Sequence, residues 1–373
     1  MQKTKFSSYK VNNLSKGCKL CVQGKKSVFF ITGICPENCF YCPLSEKKFK
    51  KDVIYINEWP TKDWRNIKKE ITLCKSSGIG ITGGDPLAKL NRTITYIKKL
   101  KKEFGKNFHI HLYTPLTLVT KSTLSKLNQA GLDEIRFHPN LEDKKNWKKI
   151  LLAKDFNWKI GIEIPIIPGK EKITKELIDN YSSSLDFFNL NEFEYSDTNA
   201  MKLNLQNYHT KNTLSYAIKG SQDLALSLLE YIEKNYPKLN VHYCTAQLKD
   251  KIQMKNRIKK RASSIKKNFD KITKDGTLIR GAIYLAELLP TKKQKIRKQR
   301  KKIILKKLNA LKRAIEGDFK LHLYLDKNGL RLLTSEKNVK NLSKKISPKL
   351  FKLAVIEEYP TFDAFIVEMD FLS

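Results

Sequence analysis

The stretch Val28–Cys42, VFFITGICPENCFYC, closes on three cysteines, Cys35, Cys39 and Cys42, spaced C-x3-C-x2-C. Its first half, Val28–Thr32, is an apolar run of β-branched and aromatic residues and reads as a buried strand. Gly33 ends that strand, and the thiols crowd onto the loop behind it. Three thiolates on one short loop can bind three irons of a cubane cluster and leave the fourth iron open. A zinc knuckle suits the spacing poorly, because zinc sites take four ligands, commonly as two close pairs. The chain has 7 cysteines, and five fall at or before residue 42. An odd number packed this way reads as metal ligation rather than a disulfide framework.

Downstream, short apolar runs alternate with amphipathic segments. Strands are expected at 28–32, 79–82, 109–113, 134–138, 159–164 and 187–192. Helical periodicity fills 62–75, 93–104, 122–129, 144–154 and 172–183. Each strand ends in a Gly, Pro or polar turn. A strand–turn–helix unit repeated at this interval implies parallel strands joined by right-handed crossovers. The expected fold is therefore α/β, a partial (βα)6 barrel of TIM type, with its chemistry at the carboxyl ends of the strands. One more strand at 239–243 would bring Cys244 to that end. From 245 onward the character changes to basic helical stretches and alternating strand-like runs. The expected division is an N-terminal arm (1–27), a partial barrel (28–244) and a basic α+β module (245–373).

A second motif, Gly83-Gly84-Asp85-Pro86, closes the second strand. Alone it is a turn. Placed after the cysteine loop, it resembles the Gly-Gly-Glu-Pro motif of the radical S-adenosylmethionine (SAM) superfamily, as Cys35–Cys42 resembles that family's signature. The resemblance covers roughly residues 28–195 and is nearest to archaeal proteins related to the activating enzyme of pyruvate formate-lyase. It implies a [4Fe–4S] cluster on Cys35, Cys39 and Cys42, with SAM chelated to the open iron. It implies reductive cleavage to a 5′-deoxyadenosyl radical and an external electron donor. It also implies that Gly83, Gly84 and Asp85 receive the SAM amino group and that Tyr41 packs near the adenine. Asp85 stands where the family has Glu, which keeps the charge and shortens the reach.

Cys18-x2-Cys21 lies upstream and His242-Tyr243-Cys244 far downstream. Together they offer three thiolates and an imidazole, enough for zinc or an auxiliary iron–sulfur cluster. The alternative is a Cys18/Cys21 half-site with Cys244 as a core thiol. Cys74 reads as a core residue. His109, His111 and Tyr113 share one face of a strand, as do Arg136 and His138. With Glu163, Asn189, Asn191, Glu192 and Glu194 they predict a polar lumen that holds a polar substrate. Satisfied core groups are the competing reading.

The charge is +36, from 73 Lys+Arg against 37 Asp+Glu. The stretches 249–267 and 292–313 are strongly basic, the second without one acid. The apolar positions Ile296, Ile303, Ile304, Leu308 and Leu311 would dock that second helix. Such a surface suits a polyanion, so the expected substrate is RNA (tRNA or rRNA), gripped by the C-terminal module. The alternatives are a glycyl-radical-type protein activase or peptide-modifying enzyme, a small-molecule biosynthetic enzyme, and a non-catalytic zinc protein that binds nucleic acid. No apolar run reaches the length of a membrane span and no signal peptide is present, so a cytoplasmic location is expected.

Overall fold

In the computed structural model, residues 1–288, 298–346 and 351–372 are described. They form two compact units, Met1–Arg257 and Ile258–Ser373.

The first unit is built on seven parallel strands hydrogen-bonded in chain order: β2 (Lys26–Phe30), β3 (Gly78–Thr82), β4 (His109–Thr114), β5 (Glu134–Phe137), β6 (Lys159–Ile166), β7 (Phe187–Glu192) and β8 (Asn240–Cys244). All six expected strands are present, and the seventh ends on Cys244. Antiparallel strands flank both edges: β1 (Tyr9–Val11) pairs with β8, and Tyr55–Ile56 pairs with β2. β2 and β8 do not pair with each other, so the barrel is incomplete. Crossover helices such as Trp64–Leu73 and Leu90–Phe104 bury Ile67, Ile71, Ile97 and Leu100 against the outer face of the sheet. That apolar layer leaves the lumen to the alternate, polar residues.

The expected arm of residues 1–27 is built into this unit. Helix α1 (Lys16–Val22), capped by Ser15, enters the lumen at Gly17. A Cβ at Gly17 would lie 2.3 Å from Arg136 and 2.5 Å from His111, so only glycine admits the helix. The division at Arg257/Ile258 falls past the expected 244/245. The reason is local packing. Asn256 Nδ2 donates to Val22 O (2.9 Å), and Gln253 contacts Cys21, so 246–257 belongs with α1. It overlaps the start of the basic stretch expected at 249–267. It is partly interior, and Lys249–Met254 is a π-helical segment.

The second unit is an antiparallel sheet in the order Tyr324–Asp326, Arg331–Thr334, Leu278–Leu285, Phe351–Glu358, Ile366–Leu372. Its apolar face carries Ile283, Leu332 and Leu353, packed with Val339 and Leu342 of the helix Glu336–Ser343. Of the expected docking residues of the basic stretch, Ile304 and Leu308 are buried and Leu311 packs beside them. Ile303 is exposed, one position around the helix, and Ile296 lies outside the described residues. The described helix of this stretch is Lys298–Phe319.

Candidate active site

The C-terminal ends of the strands surround a cavity of roughly 440 Å³, within the usual size of cofactor and ligand pockets. Cys35, Cys39 and Cys42 line one side, Gly83 and Gly84 another, and Tyr113, His138, Glu163 and Asn191 its inner end. The structure therefore brings together the cysteine loop, the glycine turn and Tyr41, which the sequence separates by as many as 49 positions (Cys35 to Gly84).

The loop is tied at several points. Thr117 and Asn140, from the turns after β4 and β5, donate to Glu37 between the first two cysteines. Asp52 beyond the loop accepts from Thr32 Oγ1 (2.9 Å) and from Arg92, whose guanidinium also reaches Ile31 O (3.0 Å). The glycine turn packs directly on the loop's root: Gly84 N donates to Thr32 O (2.7 Å) and Asp85 N to Ile34 O (2.8 Å). A Cβ at Gly84 would meet Ile34 O at 2.5 Å. The glycine is thus required by the approach of the cysteine loop itself.

Asp85 is fully buried. Its Oδ1 accepts from Leu87 N (2.9 Å) and Thr114 Oγ1 (2.8 Å). Its Oδ2 has no hydrogen-bond partner among the described residues. Burial pushes the Asp85 carboxyl up to about 6, against those two donors. The cavity wall is formed by its neighbours Gly84 and Thr114, and a buried carboxylate oxygen with no donor directly behind that wall fits a cationic group such as the SAM ammonium. The thiols fit an iron cluster. Burial raises all three, Cys35 up to about 12, so metal binding must displace their protons.

Tyr41 donates its hydroxyl to His138 Nε2 (2.9 Å), and His138 Nδ1 donates to Glu163 O (2.8 Å). The carbonyl acceptor fixes the tautomer. Burial lowers the His138 pKa, which keeps the ring neutral and able to accept from Tyr41. Glu163 stays ionised: burial opposes its charge, but Arg136, Asn189 and Asn191 outweigh it.

The lumen residues divide by depth. Tyr113, His138, Glu163 and Asn191 reach the cavity. His109, His111 and Arg136, expected beside a substrate, lie below it in a closed network with Lys26 and Glu134, where the competing reading holds. Lys26 Nζ lies 2.6 Å from His111 Nδ1 and 3.1 Å from His109 Nδ1. Arg136 bonds Glu134, Glu163, Tyr113 and Ser15. Burial works against the Glu134 charge, yet Arg136, His109 and Lys26 hold its carboxyl well below the usual range. Cys74 is core, as expected.

The sequence reading missed Lys249. It sits in the π-helical segment, lines the cavity and pairs with Glu194. Its position in a basic run hid it. The N-cap Thr245, which accepts from Leu248 N (3.2 Å), was the available signal that a helix begins at the strand end.

Comparison with known proteins agrees with this arrangement. A profile of the radical SAM superfamily matches residues 29–163. A protein of Methanocaldococcus jannaschii, provisionally named a glycyl-radical enzyme activating enzyme, is 37% identical over 98% of this chain and 94% of its own length. The chain belongs to the radical SAM superfamily. Membership implies a [4Fe–4S] cluster and SAM. Biotin synthase of Methanococcus maripaludis is 27% identical over 35% of this radical SAM chain and 38% of its own. Among solved structures, Streptococcus suis SuiB is similar with a TM-score of 0.41 at 17% identity, over 59% of this chain and 49% of that one. Methylornithine synthase gives 0.41 at 15%, over 62% and 72%. No helix among the described residues is long and apolar enough to cross a membrane.

Proposed function

We propose that this enzyme activates a protein partner by abstracting a hydrogen atom from its polypeptide, with an external donor supplying the electron. The observation that carries this reading is the end-to-end identity with the M. jannaschii protein, 37% over nearly the whole of both chains. Such a match includes the second unit as well as the barrel. The RNA reading rests on the +36 charge alone and has no comparable support.

When bound, the cluster and SAM supply the 5′-deoxyadenosyl radical, which is the hard part of the chemistry. The chain's residues provide position. Cys35, Cys39 and Cys42 would hold three irons, and Asp85 Oδ2 would take the SAM ammonium. Tyr41, held by neutral His138, would bound the adenine. At the inner end, Glu163 is held by Arg136, Asn189 and Asn191 and in turn fixes the Asn191 amide, whose oxygen and second N–H would match the N–H and C=O groups of a peptide backbone. The cavity keeps these groups fixed before substrate arrives, which reduces the reorganisation needed at the reacting atom.

Two measurements test this. Purified enzyme with SAM and a strong reductant, without oxygen, is expected to release 5′-deoxyadenosine, and Cys39→Ala to release none. Product from that variant would remove Cys39 from the ligand set. For the substrate, anaerobic lysates of a parent and a deletion strain would be frozen for EPR. A protein-borne glycyl doublet present in the parent, absent in the deletion and restored by the wild-type gene supports the proposal. Identical EPR with a modified nucleoside missing from the deletion strain's RNA would replace it.

A further inference from the structure

Below the active-site cavity the structure gathers a second set of soft ligands. Cys18 and Cys21 sit three residues apart on α1 and share a face. His242 and Cys244 sit two apart on β8 and share the lumen face. Gly17 lets α1 enter the lumen, and β8 is the strand to which the N-terminal segment pairs, so the two pairs meet by construction. The Gln253 amide stands between two of the thiols, 3.3 Å from Cys21 Sγ and 3.4 Å from Cys244 Sγ. Cys18 Sγ is met by Asn189 Nδ2 at 3.2 Å and Arg136 at 3.6 Å, with the His242 ring against it. None of these cysteines forms a disulfide.

His242 supplies an independent observation. The residue is buried, and its Nδ1 has no hydrogen-bond partner among the described residues. Its other nitrogen has only a long contact, 3.4 Å to Ser8 Oγ. An open polar atom in such a place costs on the order of 1–3 kcal/mol unless something binds it. The His242 ring therefore touches Cys18 yet keeps Nδ1 open, and Cys244 lies close enough to Cys18 and Cys21 to feel their charge, so three thiols and one imidazole form a single group of soft donors.

We propose that Cys18, Cys21, Cys244 and His242 hold a second iron–sulfur cluster in the barrel lumen. The spacing favours a cluster over a single zinc ion. Zinc–sulfur bonds of about 2.3 Å in a tetrahedron bring the sulfurs within about 4 Å of each other. Here a whole amide group separates Cys21 from Cys244. Among the described residues no three His, Cys, Asp or Glu side chains converge on a point that suits one ion. That statement holds equally for Cys35, Cys39 and Cys42, which serve several irons at once. A multi-iron cluster spreads its thiolates, and the Gln253 amide occupies the space that inorganic sulfide would take.

The site adjoins the cavity. Asn189 Nδ2 donates both to Cys18 Sγ and to Glu163 Oε2 (2.8 Å), and Glu163 lines the cavity together with Asn191, which faces Cys244 across the β7–β8 ladder. One layer of side chains therefore separates this ligand set from the substrate. The proposal does not depend on the protein-activation reading, because its ligands lie outside the cysteine loop.

The test uses the full chain with Cys35, Cys39 and Cys42 all changed to Ala, reconstituted anaerobically with ferrous iron and sulfide. The expected result is retained iron and acid-labile sulfide, with a reduced-state EPR signal. Adding Cys18→Ser or Cys244→Ser should remove both. A triple variant that binds no iron, that binds zinc alone, or that yields a Cys18–Cys21 disulfide in place of a cluster would overturn the proposal. The unmodified protein gives a second check: two EPR signals are expected after reduction, only one of them altered by SAM. A single signal wholly altered by SAM would overturn it. If no signal responds to SAM while one persists, the loop's assignment fails and this one stands.

Discussion

The two ends of one barrel lumen use the same residue types to opposite effect. At the floor, Glu134 answers the charge of Arg136 and Lys26, and His109 and His111, whose pKa burial lowers, complete the buried hydrogen-bonded network. Behind the wall of the mouth, Asp85 is equally buried, yet its Oδ2 has no hydrogen-bond partner among the described residues. A satisfied buried network fixes the fold, whereas an unsatisfied buried group is held at a cost until a ligand arrives. Burial alone does not mark a functional residue. Burial with an open valence does.

Substitutions can break that contrast. The largest effect is expected at the floor. Glu134→Gln removes the carboxylate that answers both Lys26 and Arg136, leaving Arg136 with Glu163 alone and Lys26, already lowered to about 7 by burial, without its counter-charge; loss of one partner from a buried ion network costs about 3–5 kcal/mol. Urea unfolding should show a loss of that order, while the folded fraction keeps its SAM affinity. A loss under about 1 kcal/mol would mean the floor is no more than packing.

Gly17→Ala comes next. The new methyl group meets Arg136, His111 and Glu134, and overpacking of this kind costs about 1–3 kcal/mol. Because the strain bears on α1, Cys18 should also become more reactive to alkylating reagents. Unchanged alkylation with lowered stability would place the strain elsewhere.

The mouth should respond in the reverse sense. The Asp85 pKa is about 6 in the folded protein against an ordinary 3.8. Its cost to the ligand-free fold is therefore absent below the ordinary value, grows as pH rises, and is complete above about 6. A raised value of this size corresponds to about 3 kcal/mol at most. Asp85→Asn keeps an oxygen for Leu87 and Thr114 and removes the charge. The ligand-free variant is expected to melt at or above the wild-type temperature at pH 7, with the difference vanishing near pH 4. SAM affinity should fall by roughly 10- to 100-fold, the value of one charge-assisted hydrogen bond. Equal SAM affinity in the two proteins would show that Oδ2 is not the ammonium's acceptor.

These regions also show what a sequence can disclose. The strands were legible because β-branched runs such as Ile79–Thr82 and Lys159–Ile164 are bounded by turn residues. The cysteine loop was legible because its three ligands are adjacent in the chain. Alternation placed His109 and His111 correctly in the lumen, but a period of two gives the face and not the depth. Their role was decided by Lys26 and Glu134, which lie far from them in sequence. Helix α1 was hard to read for the same reason: beyond its local cap Ser15, its seven residues are held by Glu134 and Arg136, which lie far off in sequence. Lys249 was hidden because a basic run looks like a solvated face until the strand before it is placed.

The pairing of β1 with β8 has a consequence in time. Val11 lies beside Val241, and Asn12 bonds Leu239 O, so residues 9–22 are made long before the strand and helix that hold them. During synthesis that segment has no place to rest, and the lumen stays unplugged, its floor open, until residue 257 or so has emerged. Contacts of such long sequence separation are slow to form. A nascent chain of this protein would spend most of its elongation with a cysteine-bearing tail exposed, and the piece made early would be among the last to settle.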